Sequence, residues 1–314
     1  MDQVDIRLTH HHGWRNPLKV FFQELILLHF AEVFAVTLLL LYLIAFSWGM
    51  RKKRLKRGIL DRCVIPVLKT QFYSVQETPG EGISEVAIYA TGRKNCRSAL
   101  AKIILTNAHD FLSLVFFDRL YQIEDRMLIV FEFFETETFC PIVFALVHSK
   151  ILKAFLSEFQ DVKIWAKAMP REDLPKNFVY LIENRESKLL NSKEIILRLK
   201  EAEHLFRYLL ISDQIGFQDS DPPKREVQLC TILPENDKDC ICIMNLIEAI
   251  CALVDKVVQE SDMIYPSWQD QDNARTARSR VRQILFRGGN ELDLLNTNNR
   301  INTTSVNVMN KKLE

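Results

Sequence analysis

The sequence predicts a single-pass transmembrane helix followed by an α+β domain that ends in a basic helix. Val33 to Met50 carry no charge over 18 residues, and a helix of that length spans about 27 Å, close to a bilayer core of roughly 30 Å. Six of the seven residues 51–57 are basic. Segments with strand or helix periodicity then alternate along most of the remaining chain.

The charges on either side of the apolar run predict its orientation. Lys and Arg close to a span favour the cytoplasmic side, and the cluster that follows this run outweighs the balanced charges of residues 1–25. This juxtamembrane cluster consists of Arg51, Lys52, Lys53, Arg54, Lys56 and Arg57. We therefore expect a luminal N-terminus and a cytosolic segment from residue 51 to residue 314. A cleaved signal peptide fits less well, because the run is long and the basic residues follow it.

Two features near the span have alternative interpretations. Glu32 either marks the luminal boundary or contacts a partner helix inside the membrane, since ionisable groups at membrane depth are candidate functional sites. The juxtamembrane cluster either sets the topology alone or also binds anionic lipid or ribosomal RNA.

The composition of the chain excludes several classes of protein and of binding site. The net charge is only +1, so the chain as a whole is not a general polyanion binder. All seven cysteines follow the span, and their odd number and irregular spacing predict a reducing compartment without disulfides. Cys240 and Cys242 lack a second ligand pair at metal-binding distance, so we expect structural cysteines and no metal or cofactor.

We divide the chain into seven segments. These are a luminal leader (1–25), the transmembrane helix (26–50), a basic segment and connector (51–83), a first α+β layer (84–165), a second α+β layer (166–265), an arginine-rich helix (266–288) and a disordered tail (289–314). In each layer the order is strand, helix, strand, strand, helix. We expect the helices to cover one face of a mostly antiparallel sheet.

Residue types and spacing support the individual elements. Strands rich in β-branched and aromatic residues are predicted at 84–89, 126–134, 139–147, 177–182, 205–212 and 226–232. Helical spacing of apolar residues predicts helices at 94–105, 109–120, 150–159, 192–200, 240–259 and 272–286. Asn191 or Ser192 is the expected N-cap of the fourth of these helices.

No catalytic signature accompanies these elements. The sequence has no glycine-rich phosphate loop, no GxSxG and no HExxH, and it contains only nine glycines. His109, His148 and His204 are isolated from any nucleophile or orienting acid at a diagnostic spacing, so we interpret them as structural or surface histidines. We expect the protein not to be an enzyme.

The last predicted helix carries the second basic cluster. Its arginines are Arg275, Arg278, Arg280, Arg282 and, at its end, Arg287. Arginines displayed along a helix are suited to contacts with backbone phosphates, which depend strongly on salt. A solvated helical face explains the same pattern equally well.

Five segments together carry a resemblance to a known family. They are Tyr89 to Cys96 with its Thr-Gly-Arg turn, Asp110 to Val115, Phe139 to Phe159, Leu210 to Gly216 with its Ser-Asp-Gln centre, and Ala249 to Phe286. In this order and spacing the chain from about Ile59 to Arg287 resembles calumin, the coiled-coil-containing subunit of the PAT complex of the endoplasmic reticulum membrane.

The resemblance implies one span, a cytosolic α+β domain and a role in inserting multi-pass membrane proteins. The implied partners are an Asterix-like small membrane protein, the Sec61 channel, the ribosome with its rRNA phosphates, nascent multi-pass membrane proteins and the bilayer of the endoplasmic reticulum. The family is also described as calcium-binding through an acidic luminal region. The leader here has three acidic residues, which argues against that property, and the sequence lacks the family's long charged coiled-coil tail.

The leading hypothesis is therefore a membrane chaperone or scaffold at the translocon. A lipid-binding or contact-site tether is one alternative, and it requires an apolar cavity wide enough for acyl chains. An enzyme with an unrecognised site is the other, and it requires a deep pocket that gathers a histidine with a carboxylate.

Overall fold

The computed structural model describes most of the predicted helices and strands. The described residues are 30–79, 85–105, 124–134, 140–184, 188–189, 191–216, 223–260, 264 and 267–286. The chain forms two compact units, one of residues 1–52 and 107–121 and the other of residues 53–106 and 122–314. The predicted helix at 109–120, the leader and the C-terminal tail lie outside the described residues.

The first helix, α1, runs from Phe30 to Ile59. Within it Phe30–Trp48 is the one stretch of the described chain that is long and apolar enough to cross a membrane. Its large apolar side chains point outward around the helix, and Leu39 and Ile44 are 58% and 66% exposed. Such a surface suits a lipid environment, because in water it would leave a large apolar area uncovered.

The described strands form a single antiparallel sheet. They are β1 (Ser74–Pro79), β2 (Glu85–Thr91), β3 (Ser98–Ile104), β4 (Arg126–Glu132), β5 (Val143–His148), β6 (Lys167–Met169), β7 (Phe178–Ile182), β8 (Phe206–Ile215) and β9 (Lys224–Ile232). Their spatial order is β1-β2-β3-β4-β9-β8-β5-β7-β6, and every neighbouring pair is antiparallel.

Helices pack on both faces of this sheet. The helices that follow α1 are α2 (Ile65–Gln71), α3 (Leu152–Glu158), α4 (Gln160–Trp165), α5 (Lys193–Glu201), α6 (Asp237–Gln259) and α7 (Trp268–Phe286), and a π-helical turn at Leu60–Val64 joins α1 to α2. The π-helical turn, α2, α5 and α6 share one core with the first face. Helices α3 and α4, together with Ala277 and Val281 of α7, share another core with the second face.

Strand periodicity explains this division. Met127, Ile129 and Phe131 alternate along β4 and are fully buried in the first core, because successive side chains of a strand point to opposite faces. Strand β5 is buried throughout, with Phe144 in the first core and Ala145 in the second. Helices on both faces thus explain why β5 reads as a continuous apolar run.

The structure differs from the predicted architecture in four respects. The two predicted layers are one sheet, because β4 of the first segment pairs with β9 of the second, and helices cover both faces rather than one. The predicted helix at 94–105 is wrong, since Ser98–Ile104 forms β3 and alternates between the two faces. The predicted connector contains the end of α1, the π-helical turn, α2 and β1.

The cysteines also differ from expectation. Cys63 of the π-helical turn and Cys240 of α6 are joined by a disulfide, so the predicted absence of disulfides is wrong. The spacing rule failed because the two residues lie 177 positions apart in sequence and only the fold brings them together. Cys96, Cys140, Cys230, Cys242 and Cys251 are free, and all but Cys242 are buried.

Candidate functional site

A buried arginine fixes α7 to the sheet. Arg278 is 6% exposed and lies between Asp213 of β8 and Glu183, which follows β7. Its Nε and Nη2 atoms donate to the two oxygens of Asp213 at 2.7 and 2.8 Å. Its Nη1 and Nη2 atoms donate to the two oxygens of Glu183 at 2.9 and 2.8 Å. We call Arg278, Asp213 and Glu183 the C-terminal clamp.

The clamp satisfies the hydrogen-bonding capacity of its buried charges. The backbone N–H of Ile142 donates to Asp213 at 3.0 Å, and the side-chain amide of Gln214 does so at 2.9 Å. The guanidinium also lies over the ring of Trp165, 5.0 Å from its centroid. Burial disfavours the charged guanidinium, but the two carboxylates outweigh that effect and hold the pKa of Arg278 above its usual range.

A third carboxyl group lies beside the clamp. Asp161 of α4 is 3% exposed, and the hydroxyl of Ser212 donates to it at 2.5 Å. Burial raises the pKa of Asp161 despite this hydrogen bond and the backbone N–H groups that donate to it. The negative charge of Asp213 acts in the same direction.

We expect Asp161→Asn to be most stabilising, relative to the native chain, at neutral pH. Folding raises the pKa of Asp161 above its ordinary value of 3.8. At a pH between the unfolded-state pKa and the folded-state pKa, the folded protein therefore binds more protons than the unfolded chain. The stability of the native protein then falls as the pH rises through that window. Asparagine keeps an oxygen for Ser212 and does not titrate, so its advantage should vanish below about pH 4. Urea unfolding from pH 3.5 to 8 measures this.

The exposed Asp270 of α7 supplies the control for that experiment. Asp270→Asn makes the same substitution at an exposed position, and such surface changes usually alter the unfolding free energy by less than about 0.5 kcal/mol. A pH profile of Asp161→Asn that ran parallel to that of the native protein would contradict the assignment of a raised pKa to Asp161.

A second arginine connects three elements on the first face of the sheet. Arg93, in the turn after β2, donates through Nε and Nη2 to the carboxylate of Asp255 on α6, at 3.2 and 2.5 Å. Its Nη1 atom donates to the side-chain oxygen of Gln71, at the end of α2, at 2.5 Å. We call Arg93, Asp255 and Gln71 the turn clamp. The guanidinium also lies 5.8 Å from the ring centroid of Phe72.

The residue before this arginine must be glycine. Gly92 has a φ of +96°, and an added Cβ would lie 2.6 Å from the Cβ atom of Tyr73. Both the left-handed backbone and the close approach exclude a side chain. Asn95 completes the turn by donating to Asp255 at 3.2 Å. The Thr-Gly-Arg segment therefore aims Arg93 at α6.

The predicted arginine cluster of α7 does not act as one surface. Arg278 is buried in the C-terminal clamp, where carboxylates occupy both of its donor edges, so we do not include it in a proposed phosphate contact. Arg275 and Arg280 are exposed. The side chain of Arg282 and the whole of Arg287 lie outside the described part of the structure.

The other predicted site residues also lie in different environments. Arg51 is exposed, whereas Lys56 is half-buried and forms an ion pair with Asp125, so it is not a free member of the juxtamembrane cluster. The side chains of Lys52, Lys53, Arg54 and Arg57 lie outside the described part. Glu32 is exposed in the first turn of α1.

Two histidines have structural contacts. His148 is buried and packs edge-on against Phe178. Its Nδ1 atom accepts from the N–H of Lys150 at 3.2 Å, and burial lowers its pKa. His204 contacts Asp239 at 3.0 Å. His109 lies outside the described residues.

A small crevice lies beside the C-terminal clamp. It is lined mainly by apolar side chains, among them Ile142, Ile182 and Leu189, and its empty space of about 150 Å³ includes open solvent. Even this upper bound is below the ~300–1,000 Å³ that small-molecule pockets usually enclose. In the described part of the chain no group of three or more His, Cys, Asp or Glu side chains is placed to hold a metal ion.

Sequence reasoning missed both clamps, although it had singled out segments that contain two of the three residues of each. Asp213 and Arg278 belong to two of the five segments that carry the resemblance, as do Arg93 and Asp255. The residues of each pair are 65 and 162 positions apart. A signal was present in the Ser-Asp-Gln and Thr-Gly-Arg sequences, but only the fold shows which charges meet.

Fold and site together define a class of protein. An apolar helix of membrane-spanning length precedes an α+β unit in which arginine–carboxylate pairs hold α6 and α7, an arrangement suited to a membrane-anchored scaffold. The family model of PAT complex subunit CCDC47 matches residues 29–290, and the chain therefore belongs to this family. The comparison with individually curated proteins gave no match. Family membership implies a chaperone or scaffold role in a membrane protein complex rather than a catalytic one.

Proposed function

We propose that the protein is a scaffold subunit of the endoplasmic reticulum membrane that assists the insertion and folding of multi-pass membrane proteins beside the Sec61 channel and a translating ribosome. The match to the family over residues 29–290 carries this proposal. In it, α1 crosses the bilayer with its N-terminus in the lumen and binds an Asterix-like small membrane protein. The α+β unit lies in the cytosol, where nascent multi-pass proteins emerge from the ribosome.

The exposed arginines of α7 support a ribosome contact. Because Arg278 is held by the C-terminal clamp, α7 presents Arg275 and Arg280 from a fixed helix. Because the helix backbone is already fixed, no ordering of the chain is needed when these guanidinium groups, whose planar geometry suits phosphate, bind rRNA. The contact is electrostatic and should weaken steeply with salt.

Co-purification from mild detergent extracts tests the proposal. We expect Sec61 and ribosomal subunits in the low-salt eluate, and we expect Arg275→Glu/Arg280→Glu to lower the ribosome yield about tenfold or more. The matched control is Lys153→Glu/Lys167→Glu, which makes the same charge change at exposed positions outside α7. Recovery of neither Sec61 nor ribosomes would reject the proposed function, whereas equal ribosome recovery from both double variants would reject the role of α7.

Protease protection tests the orientation independently. In sealed microsomes an added protease should digest the segment after residue 51, because the proposed topology places it in the cytosol. The segment would survive if it faced the lumen. A shielded α+β unit would overturn the proposed topology.

A further inference from the structure

The Cys63–Cys240 pair differs from the other cysteines of the chain. It joins the π-helical turn, which directly follows α1, to the first turn of α6, and the two Cα atoms are 5.2 Å apart. That separation lies within the usual range for a disulfide. The remaining cysteines have no disulfide partner.

Burial makes four of the five free cysteines poor nucleophiles. It raises the pKa of Cys96, Cys230 and Cys251 to about 12 and that of Cys140 to about 11. Thiols with such pKa values carry almost no thiolate at neutral pH, so they exchange slowly with disulfides. Geometry sets Cys63 and Cys240 apart for redox chemistry, because these are the two cysteines whose sulfurs the fold brings within bonding distance.

One member of the pair lies close to solvent. Cys240 is 8% exposed and Cys63 is not exposed at all. The residues before Cys240 form the exposed start of α6, where the side chain of Asn236 caps the N–H of Asp239 at 3.0 Å. The ends of helices open locally at lower free energy than buried cores, so a reagent reaches Cys240 before it reaches Cys63.

We propose that Cys63 and Cys240 form a reversible disulfide that exchanges with a small-molecule disulfide such as glutathione disulfide. The Cys240 thiolate attacks one sulfur of glutathione disulfide, breaks its S–S bond and releases a glutathione thiolate, which takes up a proton. The Cys63 thiolate then attacks Sγ of Cys240 in the mixed disulfide and releases the second glutathione. Two protein thiols are oxidised and one glutathione disulfide is reduced, and excess glutathione reverses both steps.

Opening or closing this disulfide would change how α6 is attached to the π-helical turn that follows α1. When it is closed, the π-helical turn is covalently attached to the start of α6, while the turn clamp holds the end of α2 to Asp255 farther along α6. When it is open, the π-helical turn is held to the start of α6 by non-covalent contacts alone, among them the exposed ion pair of Arg62 and Asp237 at 3.6 Å. The inference concerns this cross-link alone and does not depend on the proposed translocon function.

Thiol counting on the full chain in detergent micelles tests the exchange. The protein is equilibrated with graded ratios of glutathione to glutathione disulfide, and its thiols are counted by the gel shift from a maleimide polymer. We expect two of the seven thiols to disappear under oxidising ratios and to return under reducing ones. Retention of all seven thiols at every ratio would overturn the proposal, as would a bond that persists in fully reducing buffer.

Single variants test the order of attack. Cys63→Ser should accumulate glutathione on Cys240, detected by the mass of the peptide that starts α6, whereas Cys240→Ser should accumulate none on Cys63. Cys242→Ser, two residues along the same helix and outside the pair, should oxidise like the native protein. Glutathione on Cys63 in the Cys240→Ser variant would contradict the proposed order of attack. If Cys242→Ser lost no pair of thiols under oxidising ratios, the assignment of the bond to Cys63 and Cys240 would be contradicted.

Discussion

Arg278→Ala should lower the free energy of unfolding of the α+β unit by about 3–5 kcal/mol, because it leaves two buried carboxylates without their cation. Asp213 and Glu183 accept four hydrogen bonds from this guanidinium. The side chain of Asp213 is 9% exposed and that of Glu183 is 16% exposed, so water cannot replace the lost partner fully. Urea unfolding followed by tryptophan fluorescence reports the change, since Trp165 lies under Arg278.

Arg275→Ala and Arg280→Ala are the matched controls on the same helix. Both side chains are exposed, so each substitution should change the unfolding free energy by less than about 0.5 kcal/mol. If Arg278→Ala proved as mild as these two, the buried clamp would not be what holds α7. Under the proposed function, Arg278→Ala should also lower ribosome recovery, although Arg275 and Arg280 are retained.

Local periodicity predicts most of the second half of the fold. The predicted strands at 177–182, 205–212 and 226–232 correspond to β7, β8 and β9, and the predicted helices at 192–200, 240–259 and 272–286 correspond to α5, α6 and α7. These segments are long or strongly patterned, and apolar side chains dominate the buried face of each. Asn236 caps α6 because a short polar side chain can accept from a free N–H of the first turn.

The wrong helix prediction at 94–105 also has a local cause. Ser98-Ala-Leu-Ala-Lys-Ile-Ile contains strong helix formers, and its apolar residues satisfy helical and strand spacing at once. Tertiary pairing with β2 and β4 decides the outcome, since Ala99, Ala101 and Ile103 fit the closely packed first core. Local propensity is a weak prior and is overridden here.

Strand order and charge pairing are beyond local reasoning. Strand β4 pairs with β9 across about a hundred residues of intervening chain, and β5 lies between β8 and β7. No pattern within a strand specifies such partners. The arginines of α7 illustrate the consequence. The sequence presents them as equivalent, whereas the fold buries Arg278 in a clamp and leaves Arg275 and Arg280 exposed.

The turn clamp gives the second large expected effect. Arg93→Ala should lower the free energy of unfolding by about 2–4 kcal/mol, because Asp255 loses a bidentate partner and Gln71 loses a charged donor. The side chain of Arg93 is 13% exposed and that of Asp255 is 30% exposed, so solvent compensates for part of the loss. For that reason we place this effect below that of Arg278→Ala.

A double-mutant cycle separates the pair from the individual side chains. Arg93→Ala/Asp255→Ala should cost less than the sum of the two single substitutions, with a coupling energy of about 2 kcal/mol. Arg97→Ala/Glu132→Ala is the matched cycle, since that pair bridges the start of β3 and the end of β4 at 3.4 Å but is 54% and 38% exposed. Its coupling should stay below about 1 kcal/mol. Equal couplings in the two cycles would mean that burial does not distinguish the turn clamp, and the Thr-Gly-Arg turn would then be needed for its backbone shape alone.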